Sequence, residues 1–137
     1  MYYLIYISSA THEMNHEELA EILDTARKAN AKASITGMLL YKEGNFMQML
    51  EGKKESVLKL YEKIKKAPRH KDVITVIERD EPIRSFPDWT MGFQDMHQIE
   101  GNLNYSDYIS IKLIPEQFLG NAKFAHSFIS SFNQADE

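Results

Sequence analysis

The sequence contains no cysteine among its 137 residues. A disulfide scaffold, a thiol nucleophile and a cysteine-ligated zinc site are therefore excluded, and the absence fits a reducing compartment. Basic residues are also few, with 16 lysines and arginines against 20 acidic residues and a net charge of -4. Because duplex nucleic acid is held by a basic excess or a basic stripe, this balance predicts no nucleic-acid partner.

Long hydrophobic runs are missing too. No apolar stretch approaches the roughly 20 residues that a bilayer-spanning helix needs. The first seven residues, MYYLIYI, have neither the basic region nor the small-residue cleavage site of a signal peptide. We therefore expect a cytoplasmic protein with no membrane partner, and its length suits a single folded core.

The apolar patterns predict four strands and two helices in the first two thirds of the chain. Strands are predicted over 2–8, 35–41, 45–50 and 72–78, with a short fifth strand over 90–95. Asn15 and Glu18 form a capping box that starts the first helix, and a second helix over 54–66 ends before Pro68. The order β-α-β-β-α-β predicts an α+β, ferredoxin-like sandwich: a mixed sheet with two helices on one face.

The last third of the chain has a different character. Helices are predicted over 105–113 and 121–132, with Pro115 between them. Phe124, Phe128 and Phe132 recur at intervals of four, which places them on one face of a helix. We expect this stripe to cover the open face of the sheet or a neighbouring subunit. The predicted division is a sensor domain over 1–96 and a helical extension over 97–137.

Three polar residues fall where the pattern predicts apolar ones. Gln48 shares a strand face with Phe46 and Leu50, Tyr6 lies within the first strand, and Asn30 ends the apolar stripe of the first helix. Leaving a buried amide unpaired costs about 1–3 kcal/mol. Each residue alone suits a satisfied core polar group, but together they predict a network around something flat and polar.

Six separated segments of the sequence resemble the BLUF family, the blue-light sensors that use flavin. They are residues 4–6, Asn30, residues 35–41 (ITGMLLY), residues 46–52 (FMQMLEG), Arg69-His70 and residues 86–91 (FPDWTM). The resemblance covers residues 2–95. It implies a blue-light photoreceptor without catalytic activity of its own, with flavin as cofactor: FAD first, with FMN or riboflavin open.

The resemblance also implies the photoactive residues. Tyr6 matches the tyrosine expected to donate an electron and a proton to the excited flavin. Gln48 matches the glutamine between that tyrosine and the flavin, whose hydrogen bonds rearrange in light. Trp89 and Met91 match a mobile segment on the last strand, which would carry the signal to the C-terminal helices and to a separate, unknown partner.

The flavin-binding residues follow from the same resemblance. Asn30 matches the asparagine that bonds the pyrimidine side of the flavin, and Arg69 and His70 match a pair near its far side. Ile22 and Ile64 resemble the aliphatic groups that sandwich the ring between the two helices. Relatives with only a short tail often assemble with copies of themselves, so we expect a homo-oligomer.

Other readings of the sequence are open. His12-Glu-Met-Asn-His16 spells the zinc-protease motif, but a helix capped by Asn15 leaves His12 outside it, so we expect no metal site. A light-independent ligand-binding module or small enzyme could use Arg69 and Asn30 to hold an anion. A passive flavin carrier is disfavoured by the presence of both Tyr6 and Gln48.

Overall fold

The computed structural model describes residues 1–96 and 112–134. The chain runs through β1 (Tyr2–Ala10), α1 (His16–Ala33), β2 (Thr36–Lys42), β3 (Asn45–Gly52), α2 (Lys54–Lys66), β4 (His70–Asp80) and β5 (Gly92–Asp95). A short α3 (Pro115–Phe118), α4 (Ala122–Ser130) and a 3-10 turn (Ser131–Gln134) follow. The predicted element order is confirmed. The helix predicted over 105–113 lies outside the described residues, apart from residues 112 and 113, which are not helical.

The five strands form one mixed sheet in the order β4-β1-β3-β2-β5. Neighbouring strands are antiparallel except β2 and β5, which are parallel. This is the predicted α+β ferredoxin-like arrangement with a fifth strand added beside β2. The register of the central pair places Tyr6 of β1 directly opposite Gln48 of β3. Directly opposed residues share a face of the sheet, so the topology itself brings these two side chains together.

The start of α1 is fixed by the predicted capping box. Asn15 Oδ1 accepts a hydrogen bond from the Glu18 backbone N–H at 2.9 Å, and Glu18 Oε1 accepts one from the Asn15 N–H at 3.2 Å. The helix ends at Ser34, whose φ of 56° is left-handed. With both ends set, the buried stripe of α1 runs through Leu19 and Leu23 and ends on Asn30.

The sheet is buried on both faces. The front face packs against α1 and α2 and carries Leu4, Tyr6, Phe46 and Leu50. The back face packs against the C-terminal helices and carries Ile5, Ile7, Met38, Met47 and Met49. Phe118, Phe128, Ile129 and Phe132 are buried in this back core, and Phe124 packs against it. Of the two predicted roles for the phenylalanine stripe, covering the open sheet face is the one observed.

The fifth strand begins later than predicted. It spans Gly92–Asp95, so Trp89 and Met91 lie in a segment that precedes the strand rather than on it. Each backbone carbonyl of this 89–91 segment accepts a hydrogen bond. The Gly37 N–H donates to the Trp89 carbonyl at 3.0 Å. The Thr90 carbonyl accepts from Asn30 Nδ2 at 2.8 Å, and the Met91 carbonyl accepts from Arg27 Nε at 2.9 Å. Because two of these donors are side chains of α1, the segment is held by that helix and not by a strand ladder.

Phe128→Ala tests the docking of the tail on the sheet. We expect the free energy of unfolding to fall by about 3 kcal/mol, because removing a buried ring leaves a cavity. Urea denaturation followed by circular dichroism measures the change. Lys123→Ala, on the exposed side of the same helix, should stay within about 0.5 kcal/mol of wild type. An unchanged midpoint for Phe128→Ala would contradict the observed packing.

Candidate functional site

A continuous hydrogen-bonded chain of three side chains lies at the centre of the front face. The Tyr6 hydroxyl donates to Gln48 Oε1, and Gln48 Nε2 donates to Met91 Sδ at 3.2 Å. The exposed fractions of Tyr6 and Gln48 are 1% and 5%, so water does not compete for these bonds. The amide is therefore held in one orientation, with its oxygen towards the tyrosine and its nitrogen towards the methionine.

Burial keeps the Tyr6 phenol neutral. Loss of solvent, and to a lesser degree the nearby Tyr61, raises the pKa of Tyr6 well above its ordinary value. The rings of Tyr6 and Tyr61 lie 5.4 Å apart. A neutral phenol is a hydrogen-bond donor and keeps the proton that it would release on oxidation.

Within residues 1–96 and 112–134, Asn30 presents a buried acceptor with no partner. Its Nδ2 donates to the Thr90 carbonyl at 2.8 Å, whereas its Oδ1 is buried and makes no hydrogen bond. A cavity of about 230 Å³ opens between α1 and α2 beside it, with Ala33, Ser56 and Leu60 in its lining. An unpaired buried carbonyl oxygen is costly, so this site suits a ligand that brings an N–H donor.

The other residues predicted to bind flavin line the same side of the sheet. Ile22 and Ile64 are partly buried against the front core. His70 lies at the start of β4, and its Nδ1 is 3.0 Å from Ser8 Oγ of β1. Arg69 lies at the exposed rim, where its Nη2 is 3.5 Å from Glu21 Oε2 of α1. The ion pair between these two residues thus connects α1 to the chain between α2 and β4.

Trp89 is the predicted site residue that the structure does not bring to the others. Its indole packs against the back core, and the ring centroids of Trp89 and Phe86 lie 6.4 Å apart. A Cβ atom on Gly92 would meet the Trp89 ring at 1.9 Å, so glycine is what lets the indole lie over this backbone. Met91, two residues later, belongs to the front core. The 89–91 segment therefore passes from the back face to the front face at the edge of the sheet.

Sequence reasoning missed three residues that hold this segment and the loop before it. Arg27 bonds the Met91 carbonyl, as described above. Glu51 accepts a hydrogen bond from the Phe86 N–H, and Arg84, itself in the loop, donates to the Ser34 carbonyl. For Glu51 a signal existed, because it continues the apolar row of Met47 and Met49 on β3. It is fully buried, and the same rule that singled out Gln48 would have found it.

The zinc-protease motif has no structural support. His12 precedes α1 and pairs with Glu18, whereas His16 is the first helical residue. Within residues 1–96 and 112–134, no group of three or more histidine, cysteine, aspartate or glutamate side chains is placed to hold a metal ion. The described helices also include none with the length and apolarity to cross a membrane.

A ferredoxin-like sheet with a buried tyrosine-glutamine pair, and an unpaired Asn30 carbonyl oxygen beside an interhelical cavity, suit a domain that binds a cofactor, and comparison with known proteins identifies its kind. Residues 1–92 match the sequence model of the BLUF family, described as sensors of blue light using FAD. The match covers two thirds of the chain. This chain belongs to the BLUF family, so it is a flavin-dependent blue-light sensor.

Relatives agree with this assignment. The chain is 47% identical over 89 residues to photoactivated adenylate cyclase subunit beta of Euglena longa, covering 64% of this chain and 10% of that protein. The corresponding subunit of Euglena gracilis is 46% identical over 89 residues, with the same coverage. The chain thus spans about a tenth of the length of these curated relatives.

Solved structures match over nearly the whole chain. The BlsA photo-activated state has a TM-score of 0.82 at 28% identity, covering 99% of this chain and 96% of that one. The BLUF protein BlrB in its dark state has a TM-score of 0.74 at 24% identity, covering 95% and 96%, which shows the shared fold. Residues 1–92 are therefore a photosensor domain, and the light-independent alternatives are not supported.

His70 generates a pH prediction. Burial, with a smaller effect of the Arg69 charge, lowers the pKa of His70 to about 4. A histidine in an unfolded chain titrates near 6.5, so below that pH the unfolded state binds more protons and stability falls as the pH drops towards 4. This one residue should remove about 2 kcal/mol between pH 7 and pH 5.

We expect His70→Gln to lose much of this pH dependence. Urea unfolding at the two pH values measures it, and His16→Gln, at an exposed position at the start of α1, is the control. The same loss of stability in His70→Gln as in wild type would contradict the burial of a neutral imidazole.

Proposed function

We propose that Tyr6 and Gln48 carry the light response of this sensor and that Met91 moves with Gln48. The observation that carries the proposal is the buried chain from the Tyr6 hydroxyl through the Gln48 amide to Met91 Sδ. An amide has chemically different ends, so its rotation exchanges a donor for an acceptor without any change of charge. Gln48 is therefore a two-state element that light can reset.

Asn30, Arg69, His70, Ile22 and Ile64 hold the flavin in this proposal. The unpaired Asn30 Oδ1 supports it, because an isoalloxazine ring carries an N–H between two carbonyls on its pyrimidine edge. The two isoleucines supply apolar contacts from both helices. FAD is the flavin that the family description names. One similar solved structure, BlrP1 of Klebsiella pneumoniae, contains FMN, so FAD, FMN and riboflavin are compared in the test of the binding site below.

When bound, the flavin supplies the absorber of blue light and an acceptor for one electron. Tyr6 is the donor, since its phenol is oxidisable and fully buried beside the front core. Its proton is directed at Gln48 Oε1, so it would leave along that hydrogen bond and follow the electron to the flavin, and the return of both in the dark would restore the neutral phenol. Rotation of Gln48 would withdraw Nε2 from Met91 Sδ and release the Met91 side chain, while Arg27 and Asn30 keep their bonds to the backbone of the segment.

The structural change that follows rotation of Gln48 passes through the 89–91 segment to the C-terminal helices. In this proposal residues 1–96 form the sensor domain and residues 97–137 the extension that meets a separate signalling partner in the cytoplasm. We also propose that this chain assembles with further copies of itself. Its net charge of -4 supports the proposal that it has no nucleic-acid partner. BLUF domains as a class pass their signal to effector domains or partners.

Tyr6→Phe and Gln48→Leu test the light response. Blue light should shift the flavin absorption band of the wild-type protein reversibly to the red, and both variants should keep flavin and lose the shift. Absorption spectra before and after illumination measure this. Tyr41→Phe and Gln117→Leu are matched controls and should behave as wild type: Tyr41 bonds the Met14 N–H on the same face, and Gln117 is exposed. A normal photocycle in either test variant would refute the assigned roles.

Asn30→Ala tests the binding site. Loss of its acceptor should weaken FAD binding about fivefold, since a hydrogen bond contributes about 1 kcal/mol and 1.4 kcal/mol is a factor of ten. Titration of flavin-free protein followed by flavin fluorescence gives the dissociation constant, and FMN and riboflavin are titrated beside FAD. Asn121→Ala, at an exposed position before α4, is the control. Unchanged affinity in Asn30→Ala would place the ring elsewhere.

A further inference from the structure

The loop before Trp89 is fastened to the back face by a buried carboxylate that the light response described above does not use. Glu51 of β3 has an exposed fraction of 0%. Its Oε1 accepts a hydrogen bond from the Phe86 N–H at 2.6 Å, and its Oε2 accepts one from the Ser85 N–H at 2.8 Å. One side chain thus fixes two successive peptide units of the loop.

Thr36 and Arg84 complete this attachment. The Thr36 hydroxyl donates to Glu51 Oε1 at 3.0 Å and accepts from Arg84 Nη1 at 2.7 Å. Arg84 also donates to the Glu51 carbonyl oxygen at 3.1 Å and to the Ser34 carbonyl oxygen at 2.8 Å. We call Glu51, Thr36 and Arg84 the back-face clamp. Hydrogen bonds to charged groups are shorter and stronger than neutral ones, so the clamp is a rigid attachment.

Glu81 adjoins the clamp. Burial, together with the hydrogen bond to Glu51, raises the pKa of Glu81 above its ordinary value. Among the described residues its Oε2 is buried without a hydrogen-bond partner. On the other side of Glu51, the Thr36 hydroxyl joins the Glu51 carboxyl group to the Arg84 guanidinium.

The clamped loop has the photoactive chain at one end and the C-terminal helices at the other. Phe86 is fully buried in the back core, and three residues later the chain enters the 89–91 segment that leads to Met91. On the other side, His126 Nε2 of α4 lies 3.5 Å from Ser85 Oγ, and the His126 ring lies 4.9 Å from the ring of Tyr3. Residues 84–91 therefore span the distance between Gln48 and α4.

We propose that the back-face clamp is the positioning device that transmits a displacement of Met91 to α4. Glu51, Thr36 and Arg84 act through the loop and touch neither Tyr6 nor Gln48. With the clamp intact, the loop and the two strands that hold it, β2 and β3, move as one piece, and the movement reaches His126 at Ser85. With the clamp broken, the same movement is absorbed within residues 84–88. The inference rests on the proposed roles of Gln48 and Met91.

Thr36→Val and Arg84→Ala test the clamp in the flavin-loaded chain. Valine has the shape of threonine and favours strands, so Thr36→Val removes the bridging hydroxyl with little effect on β2. Two quantities are measured in each variant: the reversible absorption shift, and amide hydrogen exchange in dark and light by mass spectrometry. Arg79→Ala, on the exposed side of β4, is the matched control for loss of a nearby arginine.

We expect both variants to keep the full absorption shift and to exchange the Ser85 and Phe86 amides about tenfold faster in the dark. The light-induced change in exchange over 122–130, present in wild type and Arg79→Ala, should fall at least twofold in both. A full change over 122–130 in Thr36→Val would overturn the inference, as would a wild type whose absorption shifts without any change there. A wild type without an absorption shift would instead overturn the proposed function.

Discussion

The hydrogen bond between Tyr6 and Gln48 is the interaction on which the rest of this sensor depends. It joins directly opposed residues on the two central strands, at a depth where neither side chain meets water. In that setting an unpaired amide is costly, so the orientation of Gln48 is fixed by its two partners and changes only when one of them changes. In the proposed light response, the Tyr6 phenol is the partner that light chemistry alters and Met91 is the partner that responds.

Helix α1 gives this interaction its surroundings. The capping box at Asn15 sets where the helix begins, and with it which residues face the sheet four turns later. Arg27 and Asn30 then bond backbone carbonyls of the 89–91 segment, while the second polar atom of Asn30 is left for a ligand. One helix thus contributes both to the cofactor site and to the segment that responds to it, which keeps the two in a fixed relation.

Burial of the sheet on both faces explains how a signal can cross it. The front core contains the Tyr6–Gln48–Met91 chain and the back core contains the C-terminal helices, and among the described residues the two cores share no side chain. The loop and segment over 84–91 pass around the edge, with Phe86 and Trp89 behind and Met91 in front. Close-packed cores do not deform gradually, so a segment that packs into both cores can pass a movement from one to the other.

The sequence by itself determined the element order, the two faces of the central strands and the presence of three polar residues at positions where the pattern predicts apolar ones. These follow from periodicities of 2 and 3.6 and from capping chemistry, which act over a few neighbouring residues. Only the tertiary structure decided where β5 begins, that Trp89 faces the back core, and that Glu51 and Arg84 hold the loop. The position of the 89–91 segment depends on donors supplied by α1 and β2, some 50 to 60 residues away in the chain, and the attachment of the loop depends on an acceptor on β3, 35 residues before Phe86. No local pattern encodes which distant donor or acceptor a backbone group will meet.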